Sequence, residues 1–389
     1  MPIEFFSSVR SSLGVEVELE LIDRQTRELV SGAHQILAEM GAGHPDGSHP
    51  KAKPELLQST VECITGVCQT VEEARADLTG SILEVREAAG RRGLRLMCTG
   101  THPFTDWMTQ EITDNERYHR LIEQMQWPAR QMQIFGIHVH VGVRSPAKAI
   151  SMLNALCGYI PHLLALSASS PYWLGRDTGL ASCRSKIFET LPTAGIPYHF
   201  ADWPGFEGFM DTLIGAETIS SVREVWWDIR PHPGFGTVEL RICDGIPTLD
   251  DIATVAAVAQ SLVERFNSLL DRGYALPSPR AWVTRENKWR AARHGLDCAI
   301  IVDEKGRLMP LRDACEEMVE ELLPTARRLG CADELLGVHR ILERGPSYLR
   351  QRAVLAGGGS LRDVVDDLCD SLDASLGVPR VATSPVPES

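Results

Sequence analysis

Apolar and acidic side chains alternate without a break over Gly14-Val-Glu-Val-Glu-Leu-Glu-Leu-Ile-Asp23, the period of a strand with two unlike faces. Val15, Val17, Leu19 and Leu21 share one face, and Glu16, Glu18 and Glu20 the other. The same period returns in Ile137-His-Val-His-Val141, which sets His138 beside His140, and in Val238-Glu-Leu-Arg-Ile242, which sets Glu239 beside Arg241. Sheets with one packed and one polar face are characteristically antiparallel. The pattern therefore predicts an antiparallel sheet whose second face carries acids, imidazoles and an arginine.

Helical spacing takes over between these strands. Val71, Ala74, Leu78, Ile82 and Val85 predict a helix from Thr70, its cap, to Ala89, with Gly90 as its stop. Asp250 or Asp251 is the expected cap of a longer helix through Ile252, Val255, Ala259, Leu262, Phe266 and Leu270, ended by Gly273. Residues 146 to 166 read as helix, broken or kinked at Pro161. The second half of the Glu55–Thr65 segment is β-branched and predicts a strand carrying Glu62, and Leu94–Thr99 predicts another. Val222–Arg230 and Thr237–Cys243 flank a turn and predict a hairpin. Residues 171 to 210, dense in glycine, proline and aromatics, read as a long loop region of the kind that carries function. Gly357-Gly-Gly359 reads as a loop before a helix near Leu361. The expected fold class is α+β, a curved antiparallel sheet with helices packed behind it. The expectation is one catalytic domain over 1–376, followed at 377–389 by a disordered tail.

Composition narrows the function. The chain has 389 residues, 43% of them hydrophobic, and a net charge of −13 with no basic stripe, which argues against nucleic-acid binding and for small-molecule chemistry. Its ten cysteines lack CxxC spacing, which suits a reducing cytoplasm better than a disulfide framework or a zinc ribbon. No basic leader precedes an apolar core, and no run reads as a membrane span of ~20 apolar residues. The expected location is cytoplasmic, away from membranes, with a homodimer left open.

The polar strand faces carry the chemistry. Mg²⁺ takes oxygen ligands and binds through a few carboxylates together with substrate phosphates. Glu16, Glu18, Glu62 and Glu239, with an imidazole such as His138, form such a set, and Arg241 or Arg230 would neutralise phosphoryl charge. Any one of these strands alone is as readily a solvated sheet face; three in one chain favour a site. Glu55 is the weaker candidate, because Pro54 before it can place it at a strand entrance. His102, in Gly-Thr-His-Pro, reads as a turn residue. No Walker loop, GxGxxG, HExxH or GxSxG is present, which excludes the mechanisms those motifs support.

Six ordered segments together carry a resemblance: Gly14-Val-Glu-Val-Glu18, Glu55-Leu-Leu-Gln-Ser-Thr-Val-Glu62, Gly100-Thr-His-Pro-Phe104, Gly136-Ile-His-Val-His-Val-Gly142, Arg230 to Asp244, and Asn287-Lys-Trp-Arg-Ala-Ala-Arg-His-Gly-Leu-Asp297. From about residue 12 to 370 the chain resembles the glutamate-cysteine ligases of type 2. That resemblance implies a glutamine-synthetase-like fold and ATP- and Mg²⁺-dependent amide formation from a carboxylate and an amine through an acyl phosphate. It implies Glu16, Glu18, Glu62, Glu239 and His138 around the metals. Arg241 would face the phosphoryl group or the substrate carboxylate, Arg230, Arg290 and Arg293 would contact anions, and His140 would help shape the site. L-Glutamate and L-cysteine are the default substrates, with specificity sought in Ser170–Phe209 and Arg280–Asp297. Two other readings stay open at this point. One is a metal-dependent amide hydrolase using the same Glu and His residues, and the other a nucleotide-binding protein without catalysis.

Overall fold

A computed structural model describes residues 3–379; most of the expected tail lies outside the described residues. Seven strands build the main sheet: β1 (Leu13–Asp23), β2 (Ala52–Pro54), β3 (Thr60–Ile64), β4 (Leu94–Met97), β5 (Ile137–Gly142), β6 (Ile229–His232) and β7 (Thr237–Leu240). Their order is β6-β7-β5-β1-β3-β2, with β4 paired to the end of β1, and every pairing is antiparallel. The long strand β1 is the axis, bonded to β3 along one edge and to β5 and then β4 along the other.

The alternation seen in the sequence decides which face is which. Val15, Val17, Leu19, Val61, Val139, Val141, Val238 and Leu240 are all buried and point into one core. Each contributes roughly 1.5–3 kcal/mol by leaving water. That face is covered by α1 (Val71–Gly90), α3 (Pro146–Leu156) and α7 (Leu249–Asp271). α2 (Glu116–Met125) lies on the polar side, over the cavity described below. α4 (Ile160–Ser167), α5 (Arg184–Phe188), α6 (Trp203–Gly215), α8 (Ala281–His294), α9 (Leu311–Leu329) and α10 (Leu361–Ser375) complete the elements needed here. The aliphatic side of α7 is continuous with the sheet core, which is why its buried stripe is so wide.

Several boundaries differ from the sequence reading for local reasons. Thr248, one turn earlier than expected, caps α7 by accepting from Asp251 N–H at 3.3 Å, so Asp250 and Asp251 sit in the first turn, where acids favour the helix dipole. α1 runs through Gly90, and the left-handed residue after it is Gly93. Pro161 separates α3 from α4 by standing in the first turn of the second helix, where its missing N–H costs nothing. The combined run Pro146–Ser167 is long and apolar enough to cross a membrane, but 72% of it is buried inside the protein as core. The region expected as a long loop contains α5 and the start of α6, the latter capped by Asp202, whose carboxylate accepts from Gly205 N–H at 2.8 Å. Its Gly and Pro content masked those short elements. The hairpin is shorter than expected. Residues Pro233–Phe235 form a single 3₁₀ turn, closed by Gly236 in the left-handed region against the backbone of Phe6.

Candidate functional site: an acidic cavity on the polar face of the sheet

Strand register lines up the chemistry. Across the sheet Arg230 lies opposite Glu239, Glu239 opposite His140, Glu16 opposite His138, and Glu18 opposite Glu62. All point away from the apolar core into one cavity of about 650 Å³, which Lys53, Glu55, Arg117, Tyr118, Arg223, His232, Phe235 and Arg241 also line. Glu20, two residues beyond Glu18, is covered instead. It is fully buried, accepts from Thr99 N–H at 3.1 Å, and is pushed well above the usual carboxylate range by that burial.

The cavity has two chemically unlike ends. At the first, Glu16, His140 and Glu239 offer ligand atoms within 4.8 Å of one another. Glu16 accepts from His138 Nδ1 at 3.0 Å, and His140 Nε2 lies 3.3 Å from Glu16 Oε1 and 3.7 Å from Glu239 Oε1 without a hydrogen bond. Burial alone would raise Glu16 and Glu239. The His138 hydrogen bond and the nearby imidazole charge of His140 overcome it at Glu16, and Arg241 and Arg230 overcome it at Glu239, so both carboxyls are held well below the ordinary range. Burial and the Arg241 charge push His138 down to about 4, leaving a neutral imidazole.

At the second end Glu18, Glu55 and Glu62 converge within the same 4.8 Å, and among the described residues no cation forms an ion pair with them. Burial and the Glu55 charge raise Glu18 to about 8, and burial followed by the charges of Glu55, Glu16 and Glu18 raises Glu62 well above its usual value. Glu62 also joins Glu16 and His138 in a third grouping, which bridges the two ends. Mutually repelling half-buried carboxyls beside an imidazole nitrogen that bonds nothing are the donor set a hard divalent cation satisfies. The residues present fit such an ion.

The two arginines divide their work. Arg230, 6% exposed, spends Nε and Nη2 on Glu239 Oε2 at 2.9 and 2.7 Å and Nη1 on the carbonyls of Arg223 and Val225. It holds Glu239 in place with four of its five N–H donors committed to the protein. Arg241 bonds Glu239 Oε1 through Nη1, and its Nε has no partner, which leaves donors for an anion in the cavity. Its backbone N–H is fixed to Asp228 O at 2.8 Å, and its carbonyl accepts from Arg184.

Arg290 and Arg293, expected as anion contacts, do not line this cavity. The 3.6-residue period of α8 turns them to other sides. Arg290 bonds Glu286 and the carbonyl of Ala299, and Arg293 bonds the carbonyl of Gly179. What the motif brings inward is Lys288, 1% exposed, whose Nζ lies 2.6 Å from both Asp228 Oδ2 and Glu189 Oε1. The two anions outweigh its burial and keep it charged. Lys288 thus ties α8 to the residue that anchors Arg241 and to the segment whose Phe188 and Leu191 line the cavity.

Two further sets of residues were undervalued or missed. Glu55 belongs to the cluster, its Oε2 held by Leu56 N–H at 2.9 Å, and the Glu-x₆-Glu spacing to Glu62 was its signal. His232 and Phe235 stack at 4.1 Å on the cavity wall, an arrangement the turn sequence did not announce. His102 is the turn residue expected, fully buried, with Nε2 on the Arg27 carbonyl and Nδ1 accepting from Thr105 N–H. Of the two segments expected to carry specificity, the first contributes Phe188 and Leu191, while Arg280–Asp297 contributes nothing to this cavity.

Comparison with known proteins places this sheet and its carboxylate–imidazole–arginine face among the ATP-dependent carboxylate–amine ligases. The profile of Glutamate-cysteine ligase family 2 (GCS2) matches residues 12–367, and the chain belongs to that family. A relative from Frankia casuarinae, named "Putative glutamate--cysteine ligase 2-1", is 58% identical over 379 residues, 97% of this chain and 99% of its own. One from Thermobifida fusca, named as a glutamate–cysteine ligase 2 in the same way, is 53% identical over 99% of this chain and 96% of its own. In fold the chain is similar to the glutamate–cysteine ligase of Francisella tularensis, solved in complex with AMP (TM-score 0.69, 12% identity, 96% of this chain and 90% of that one). It is also similar to a bifunctional glutathione synthetase from Pasteurella multocida (TM-score 0.68, 16% identity, 94% of this chain and 53% of that one). The protein is an ATP-dependent ligase acting on small molecules. Neither the hydrolase reading nor the non-catalytic one finds support among these relatives.

Proposed function

We propose that this ligase uses Mg²⁺-ATP to join the carboxylate of L-glutamate to the amine of L-cysteine through an acyl phosphate. The observation that carries the reading is the strand register, which gathers Glu16, His140 and Glu239, then Glu18, Glu55 and Glu62, and Arg241 around one cavity.

Glu16, Glu18, Glu55, Glu62, Glu239, His138 and His140 would hold the divalent ions, which when bound would supply neutralisation of phosphate charge. Glu239, kept ionised by Arg230 and Arg241, is the fixed carboxylate between the two arginines. Arg241 aims its free donors at the transferring phosphoryl group. This charge stabilisation is built in before reaction and needs no rearrangement during it. Arg117 and Tyr118 stand at the Glu18–Glu55–Glu62 end and would meet the substrate carboxylate, while Leu121, Met132, Leu191 and Trp226 form an apolar wall that excludes water from the activated acyl group. In the second step the amine attacks the acyl carbon, the amide forms, and phosphate leaves.

The test is ADP release by the purified protein with Mg²⁺-ATP and L-glutamate, against cysteine and a panel of other amines, with mass detection of the product. Amine-dependent ADP release with γ-glutamylcysteine as product is expected. A different condensation product would reassign the acceptor, and ATP-independent hydrolysis of amides would sink the ligase reading of the site.

A further inference from the structure

A second cavity, of about 450 Å³, lies apart from the first and shares no lining residue with it. It is enclosed by the junction of α3 and α4, the loop before α8, the first turns of α8, the hairpin Ala299–Ile301/Leu308–Pro310, and one side of α9. Its volume is within the range that holds small organic ligands.

Three features define what it would take. Its body is apolar, from Tyr159, Val283, Val302, Met309 and Met318. Its floor holds two buried polar groups with bonding capacity to spare, His162, whose ring meets the Gly158 backbone, and Thr284. His162 is 7% exposed with Nδ1 unpartnered, and Thr284 is 3% exposed with Oγ1 unpartnered. Buried polar atoms are nearly always bonded, and leaving two in one cavity costs free energy that a ligand recovers. Burial pushes His162 down to about 4, so the floor is uncharged at neutral pH. At the rim the charges cancel in pairs except one. Arg280 meets Glu304 at 2.8 Å, Arg307 meets Asp303 at 3.3 Å, and Glu321 is held by Arg265 at 3.1 Å. Glu317 lines the cavity with no ion-pair partner among the described residues.

We propose that this cavity is a second small-molecule site, for an organic amine cation with an apolar ring and a hydrogen-bonding group at the far end. The ring fills the apolar body, the far group bonds His162 and Thr284, and the ammonium meets Glu317. The site bears on α8 at Thr284 and Asn287, the turn that carries Lys288.

The probe is tryptamine, with indole-3-ethanol as the same body without the charge, titrated calorimetrically into the full chain without nucleotide. Tryptamine is expected to bind saturably at one site, and indole-3-ethanol three- to tenfold more weakly. Glu317→Gln, an exposed and neutral change, should bring tryptamine down to the level of the alcohol, and Val283→Trp, which fills the cavity, should remove both. Absence of saturable tryptamine binding up to about 10 mM would overturn the proposal. So would binding that both substitutions leave unchanged, or binding that saturating Mg²⁺-ATP displaces, since that would place the amine in the sheet cavity. Because no turnover is measured, the result is independent of the substrates assigned to the ligase.

Discussion

Replacing Lys288 by methionine removes one charge from the protein interior and isolates another. The ammonium is 1% exposed and equidistant, at 2.6 Å, from Asp228, itself 2% exposed, and Glu189, which also bonds Lys186. Glu189 keeps a partner in the variant; Asp228 does not. Breaking a buried pair from one side costs about 3–5 kcal/mol, chiefly the burden of the charge left behind. Unfolding entropy of roughly 2.1 cal/mol/K per residue gives a chain of this size about 0.8 kcal/mol per degree, so the melting temperature should fall by about 4–6 °C. Paired with Asp228→Leu, Lys288→Met should recover most of that loss, because a buried ion pair exchanged for apolar groups is often neutral. Thermal melts of the wild type, both single variants and the double variant close the cycle. A Lys288→Met shift under about 1 °C, or a double variant that falls by the sum of the singles, would refute the view that this lysine braces the strand bearing Arg241.

Other expectations follow from the site's charges. Arg241→Lys keeps the charge but loses the planar fork, and should lower kcat by about 10²-fold while the melting temperature changes little; near-normal turnover would remove Arg241 from the phosphoryl contact. Glu18→Gln relieves repulsion among three half-buried carboxyls, so the metal-free protein should become more stable by on the order of 1 kcal/mol while its stabilisation by Mg²⁺ shrinks; melts with chelator and with Mg²⁺ give both readings. The pH dependence has a definite sign. Glu18 is raised to about 8 and is ionised in the unfolded chain above ~4.5, so the folded state binds the extra proton between those values and stability falls as pH rises through that window. His140, also raised, acts in the same direction, and histidines with lowered values such as His138 stop contributing above ~6.5. Metal-free protein should therefore lose up to about 1.4 kcal/mol per pH unit per such group between about pH 7 and 8, and Mg²⁺ should flatten the slope; a melting temperature that rises over that interval would contradict the assignment.

Much of the site was legible because a strand's period is two and leaves little freedom. Once Val15, Val17 and Leu19 enter the core, Glu16 and Glu18 have one direction left, and the same holds for His138, His140, Glu239 and Arg241. Which strands adjoin is a matter of pairing at long range, and local sequence is silent on it. That is why Glu55, adjacent to nothing but a proline, looked weak, and why Glu20 looked equivalent to its neighbours until Thr99 and the strand β4 covered it. Helical residues were harder to place. A motif such as Asn287 to Arg293 holds three cations, and only the rotation of α8 against its neighbours decides that Lys288 goes inward while Arg290 and Arg293 serve the helix's other sides.

The burial of the cysteines bears on what the enzyme can tolerate. All ten thiols are buried, and burial pushes those of Cys63, Cys157, Cys183 and Cys243 up to about 12. Thiol–disulfide exchange runs through the thiolate and requires access to it. A catalyst bathed in cysteine, cystine and the thiol dipeptide it is proposed to make would be steadily capped if it exposed a reactive sulfur. With its thiols protonated and enclosed, this one meets that mixture as an inert vessel. Covalent adducts with such thiols should form only as fast as the fold opens.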